Sequence, residues 1–249
     1  MARGSSFLRG LLIVTLFVLP SMGHAYILPS SQIIEFMVRK FASVNTLRIT
    51  QLTKIVDLER EMEMVFGESI AVMSPDLYRS EVAGQSGKRI IVRNGLRTVK
   101  IIDGDIVHEK ENVTFPYHFL MVAQDSRHLL KDLEELGINL DMVSLTRFRG
   151  RIAYLIGNKE EGSSRLLVDK DFFIPLLLQY GNVAFFASDF AQIKQGLWYP
   201  RYILYSYTGA NIEDYIQEEY RIKDIFINPS IDASLFDVST IRSQFESKE

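Results

Sequence analysis

The sequence predicts an α+β fold: one large curled antiparallel β-sheet, an open half-barrel, covered by an N-terminal helix and a middle helical segment. Three observations predict it. One apolar stripe at helical spacing stands near the start of the chain. The apolar period then switches to two and keeps that value over most of the length. A single capped helical stretch interrupts it in the middle.

Residues 1–25 read as a secretory signal peptide rather than as part of the fold. "MARGSSFLRG" carries Arg3 and Arg9 and no acid, and "LLIVTLFVL" is shorter than the roughly 20 apolar residues of a membrane span. Pro20 breaks the run, and Gly23-His24-Ala25 places small residues where a cleavage site needs them. Cleavage after Ala25 would expose Tyr26; a lipid anchor would need a cysteine there, and the sequence contains none. The expected product, 26–249, is one soluble domain without disulfide or thiolate chemistry. Losing Arg3 and Arg9 takes the formal net charge from −3 to −5. That balance argues against nucleic acid as a partner and supplies no polybasic membrane patch.

Pro29-Ser30-Ser31 opens the first helix, where Ile34, Met37, Val38 and Phe41 share one face. "TLRITQLTKIVDL" (46–58) and "EMEMVFGESIAV" (61–72) follow as strands. In the second, Met62, Met64, Phe66, Ile70 and Val72 face one way, and Glu61, Glu63, Gly67 and Ser69 the other. Pro75 interrupts the pattern, which resumes at Leu77 and Tyr78. "RIIVRNGLRTVKII" reads as a hairpin about Asn94-Gly95, and Asp103-Gly104 as a second reversal. Asp125-Ser126 caps "RHLLKDLEELG", with Leu129, Leu130, Leu133 and Leu136 on one face and Gly137 at its end. From "RIAYLIG" to "YIQEEYRIKDIFI" the pattern is strand-like nearly to the C-terminus. A meander of about ten strands must curl, and helices lying inside the curl would cover one face above an apolar interior.

Catalytic and metal motifs are absent. His108, His118 and His128 are the histidines of the mature chain, without the tight spacing or thiolate partners of a zinc site. Asp103-Gly104-Asp105 lacks the distal glutamate of a calcium loop. Asn112-Val113-Thr114 matches a glycosylation sequon, a triplet that occurs readily by chance. No phosphate loop, dinucleotide fingerprint or nucleophile elbow is present. The expectation is a non-enzymatic protein without cofactor.

Four segments carry a family resemblance. "LRITQ" (47–51), "SPDLYRSEV" (74–82), "IIVRNGLRTVKI" (90–101) and "SIDASLFDV" (230–238) occur in an order similar to that of the LolA-like periplasmic outer-membrane lipoprotein carriers, within the wider LolA/LolB-like superfamily. The resemblance implies a half-barrel whose interior accepts acyl chains of lipoproteins or related lipids. It implies cargo received from an inner-membrane ABC transporter complex and passed to an outer-membrane receptor by a periplasmic, monomeric carrier. On this reading the ligand-binding wall is Leu52, Met62, Met64, Phe66, Leu77 and Tyr78, and the lid is Ile34, Met37, Phe41, Phe119 and Leu120. The family often carries an arginine before the proline, which tethers the lid; here that position is Ser74, with Arg79 and Arg93 as candidate substitutes. A lipid- or protein-segment-binding sensor of the same superfamily is the alternative.

Overall fold

A computed structural model of the protein describes residues 27–57, 62–84, 87–107, 116–193, 197–208 and 215–246. His108 and the Asn112-Val113-Thr114 triplet lie outside them, as do residues 1–26, on which the expected signal peptide (1–25) falls. Helix α1 (Ser30–Phe41) precedes strands β1 (Thr46–Asp57), β2 (Met62–Met73), β3 (Leu77–Gly84), β4 (Gly87–Asn94), β5 (Arg97–Ile102) and β6 (Asp105–Val107). Helices α2 (Phe119–Val122) and α3 (Ser126–Glu135) form the middle segment. Strands β7 (Val143–Phe148), β8 (Arg151–Gly157), β9 (Arg165–Asp169), β10 (Pro175–Tyr180), β11 (Val183–Gln192), β12 (Trp198–Thr208) and β13 (Tyr215–Ile227) follow. A 3₁₀ turn (Ala233–Phe236) and helix α4 (Val238–Glu246) come last.

All the strands join one 13-stranded antiparallel sheet in the order β6-β5-β4-β3-β2-β1-β13-β12-β11-β10-β9-β8-β7. Two meanders are thus joined where the first strand pairs with the last. Strands β6 and β7 remain as edges, so the sheet does not close into a barrel.

Local chemistry sets the helices as the sequence suggests. Ile33, Ile34, Met37, Val38 and Phe41 are buried against the sheet, while Arg39 and Glu35 pair in solvent at 2.9 Å. The side chain of Asp125 accepts from the Arg127 amide at 2.9 Å and caps α3. Gly137, at φ 81°, ends that helix, and the Ile138 amide returns to the Leu133 carbonyl at 3.1 Å. Helices α1, α2 and α3 sit on one face of the sheet. Ile34, Met37, Leu120 and Met121 are fully buried there in one cluster with Leu47, Ile49, Ile70 and Val72.

The C-terminus departs from the sequence reading. The last described element is a helix that lies on the opposite face of the sheet. Asp237 Oδ1 accepts from the amides of Ser239 and Thr240 at 3.0 and 3.1 Å, which starts α4. Phe236, Val238 and Ile241 then pack on Ile90, Val92, Val99 and Ile101. The β4–β5 hairpin is apolar on the face turned away from α1–α3. Helices cover both faces of the sheet, not one.

Candidate functional site in the curled sheet

Direct cross-strand pairs share a face, so register assigns every side chain. On β1 and β2 the pairs Leu47–Val72, Ile49–Ile70, Gln51–Glu68, Thr53–Phe66 and Ile55–Met64 run outward from beneath the helices. The first two pairs are buried under α1–α3. Next comes a polar belt of Gln51, Thr53 and Glu68, all buried. Phe66, level with Thr53, and Ile55 and Met64 beyond it are half-buried and lie outside the helix-covered cluster, with Glu218 of β13 directly opposite Ile55. The interior therefore has three zones: a capped apolar core, a polar belt, and an apolar mouth.

The belt is held by a dense set of bonds. Glu68 Oε2 accepts from Gln51 Nε2 at 2.7 Å and from the Thr53 hydroxyl, and Oε1 accepts from the Ser80 hydroxyl. Register places Gln51, Glu68, Val82 and Arg89 in one row across β1 to β4. Arg89 Nη1 then donates to Glu218 Oε1 on β13 at 3.2 Å, and the Tyr220 hydroxyl donates to Glu218 Oε2 at 2.7 Å. In a flat sheet four strand spacings would separate β4 from β13 by about 19 Å. The contact measures the curl: this face is concave, and Arg89 spans it. Burial works against the charge on Arg89, but Glu218 and Glu68 outweigh it and hold the guanidinium above its ordinary range. Burial, with Glu218 beside it, also raises the Tyr220 phenol well above normal.

Phe66 sits at the mouth because β3 leaves it room. A Cβ added at Gly84 would stand 2.5 Å from Phe66 Cδ1. Tyr78 pairs with Val72 and so faces inward, half-buried. Its phenol is pushed far up, first by burial and then by Glu68. Its ring lies 6.2 Å, edge-on, from Phe119 of α2 and 6.4 Å from His118. His118 is buried, its Nδ1 lies 2.5 Å from the Tyr199 hydroxyl, and burial pushes its pKa down to about 4. The neutral imidazole ties the start of α2 to the sheet.

The lid residues named from sequence are all seated on the core: Ile34, Met37, Phe41, Phe119 and Leu120 are each 4% exposed or less. Two wall residues need correction. Leu52 is 37% exposed and lies on the convex face, because its neighbours Gln51 and Thr53 take the interior positions. Leu77 pairs with Met73 on that same convex face and packs with the α4 cluster. Met64, Phe66 and Tyr78 face the interior; the backbone of Met62 continues their face, and its side chain lies outside the described residues.

Ser74 sits in the turn between β2 and β3, and its amide donates to the Asn45 carbonyl at 2.9 Å. Of the two candidate substitutes for an arginine there, Arg79 points away from the lid. It pairs with Glu81 at 2.6 Å and donates to the Leu235 carbonyl at 2.9 Å. Arg93 pairs with Tyr78 on the concave face, and its guanidinium lies 5.2 Å from the centre of the Phe119 ring. Beside it a cleft of about 260 Å³ separates the Pro75 turn from α2 and α3. Across the cleft His128 of α3 lies 3.7 Å from Asp76, and along its own helix 3.6 Å from Asp132. Asp76 and His128 thus join the turn to the lid, and Arg93 of β4 reaches Phe119 beside them. Sequence alone missed Gln51, Glu68, Arg89 and Glu218, whose interior role depends on register and curl.

No protein-family model matches the sequence, and neither does any curated protein. Solved structures do. A LolA superfamily protein from Nitrosomonas europaea superposes with a TM-score of 0.58 at 8% identity, covering 86% of this chain and 100% of its own. The fold is LolA-like. A domain assigned to outer-membrane lipoprotein sorting in Vibrio parahaemolyticus gives 0.54 at 8% identity, over 85% of this chain and 97% of its own. A DUF1329 family protein from Desulfovibrio piger gives 0.52 at 13% identity, over 85% and 98%. At these identities the LolA-like likeness describes the backbone path alone. Among the described residues no helix is long and apolar enough to cross a membrane.

Proposed function

We propose that the protein is a non-enzymatic periplasmic carrier that holds acyl chains of a lipoprotein or related lipid in its concave interior and releases them toward the outer membrane. One observation supports this reading above the rest. The concave face continues past its helical cover to the apolar side chains of Ile55, Met64 and Phe66, which lie outside the helix-covered cluster among the described residues. Each methylene buried there contributes about 0.8 kcal/mol, so a long chain would bind tightly. Release then needs a moving part. Helices α1–α3 are that part: they rest on the sheet through side chains, and their contact with the β2–β3 turn is polar and exposed. The lipoprotein-sorting assignment of the Vibrio parahaemolyticus domain agrees with this role. An inner-membrane donor complex and an outer-membrane receptor are the partners the reading requires.

Native mass spectrometry of the mature chain, purified gently from a bacterial periplasm, tests it. The expected result is an added lipid or lipopeptide mass that delipidation removes and acylated peptide restores. Tyr78→Glu, which places a charge on the concave face, should abolish that uptake while the circular dichroism spectrum is kept. A clean apo mass with no uptake contradicts the proposal.

A further inference from the structure

The polar belt has hydrogen-bonding capacity that the protein itself leaves unused. Gln51 is 3% exposed and spends its amide N–H groups on Thr53 and Glu68, while its Oε1 has no partner. Arg89 Nε is equally buried and unpartnered, although Nη1 of the same guanidinium bonds Glu218. One orphan is an acceptor and the other a donor. Glu68 bonds Gln51 directly, and register sets Arg89 in the same row, two strands from Glu68, on the concave face that it spans. Buried groups left unmatched cost free energy, so a site that carries such a pair favours the ligand that completes it.

We propose that the belt is a linkage-reading site, selective for a secondary amide joining an acyl chain to its head: the amide N–H donates to Gln51 Oε1, and its carbonyl accepts from Arg89 Nε. The inference rests on the acyl-carrier reading and names the ligand class that the same interior takes. The tail lies against Met64 and Phe66 in the mouth. An ester offers a carbonyl to Arg89 and nothing to Gln51. A free carboxylate satisfies Arg89, but it enters a belt that holds two carboxylates, Glu68 and Glu218, against a single guanidinium. The order of affinity is therefore amide, then ester, then acid.

Three ligands with one tail test this: N-methyldodecanamide, methyl dodecanoate and dodecanoate, each titrated into the mature protein by calorimetry below its aggregation threshold. The amide should bind about tenfold more tightly than the ester, the worth of one additional buried hydrogen bond. Gln51→Met should erase the amide-over-ester preference while both still bind. Arg89→Lys keeps the charge facing Glu218 but removes Nε, and should weaken amide and ester alike. Thermal melts establish that each variant is folded. Equal binding of all three ligands, or a preference for the acid, overturns the linkage reading and leaves the carrier reading standing. Persistence of the amide preference in folded Gln51→Met overturns it as well. Uptake of none of the three overturns both.

Discussion

Replacing Arg89 by methionine tests the geometry on which the interior depends. Arg89 and Glu218 come from strands four places apart in the sheet, yet they meet at 3.2 Å. Their side chains are 22% and 9% exposed, so the pair is largely desolvated. Removing one partner of such a pair costs about 3–5 kcal/mol, because the other charge is left buried. Glu218 keeps the Tyr220 hydroxyl, and Arg89 retains some solvent, so the lower end applies: about 3 kcal/mol. For a domain of this size that is a fall of roughly 6–12 °C in Tm. Adding Glu218→Leu removes the stranded charge and leaves only the Tyr220 hydroxyl short of an acceptor, a cost of about 1 kcal/mol. The double variant should therefore be about 2 kcal/mol more stable than Arg89→Met alone, so the two single losses do not add. Urea denaturation of wild type, both single variants and the double variant, followed by circular dichroism, measures it. Additivity within about 0.5 kcal/mol would mean that the two side chains do not interact, and that β4 does not face β13 across the concave side.

Other consequences are read in simpler assays. His118 has a folded pKa of about 4 against an ordinary 6.5, so its contribution is fully present above 6.5 and is lost as pH falls toward 4, by roughly 3 kcal/mol. Urea midpoints between neutral pH and pH 4 should show that loss, and His118→Asn should flatten it; equal slopes refute it. Leu120→Ala, at a fully buried lid position, should cost about 2–5 kcal/mol in denaturant, and an effect below 1 kcal/mol would mean that α2 is not seated on the core. Truncation after Asp237 removes α4 and uncovers Ile90, Val92, Val99 and Ile101, so the shortened chain should bind a hydrophobic dye and melt earlier; an unchanged melt contradicts the packing.

The sheet was legible in the sequence because most strands keep period two, and because Asn94-Gly95 and Asp103-Gly104 announce their turns. The helical cover was legible in the 3.6 spacing of Ile34, Met37 and Phe41 and in the Asp125 cap. The concave wall was legible only in part. A period-two reading assigns apolar residues to the interior, and β1 breaks that rule where the belt crosses it. Gln51 and Thr53 face inward, and Leu52 is turned out. Leu77 failed for a related reason: the convex face also carries an apolar cluster, built on β4 and β5 and covered by a C-terminal helix whose Asp237 cap and Val238/Ile241 spacing were present to be read. The Arg89–Glu218 bridge joins residues 129 positions apart. No local pattern encodes that pairing; it follows from the joining of β1 to β13 and from the curl.

The central claim, that acyl chains lie on the concave face beyond the polar belt, is tested most directly by photo-crosslinking. An acylated peptide with a diazirine near the end of its chain would be bound to the mature protein, irradiated, and its adducts mapped by peptide mass spectrometry. The account predicts adducts on Ile55, Met64 and Phe66. Adducts confined to Leu52, Val65 and Leu77 on the convex face, or none above an unacylated control, would contradict it.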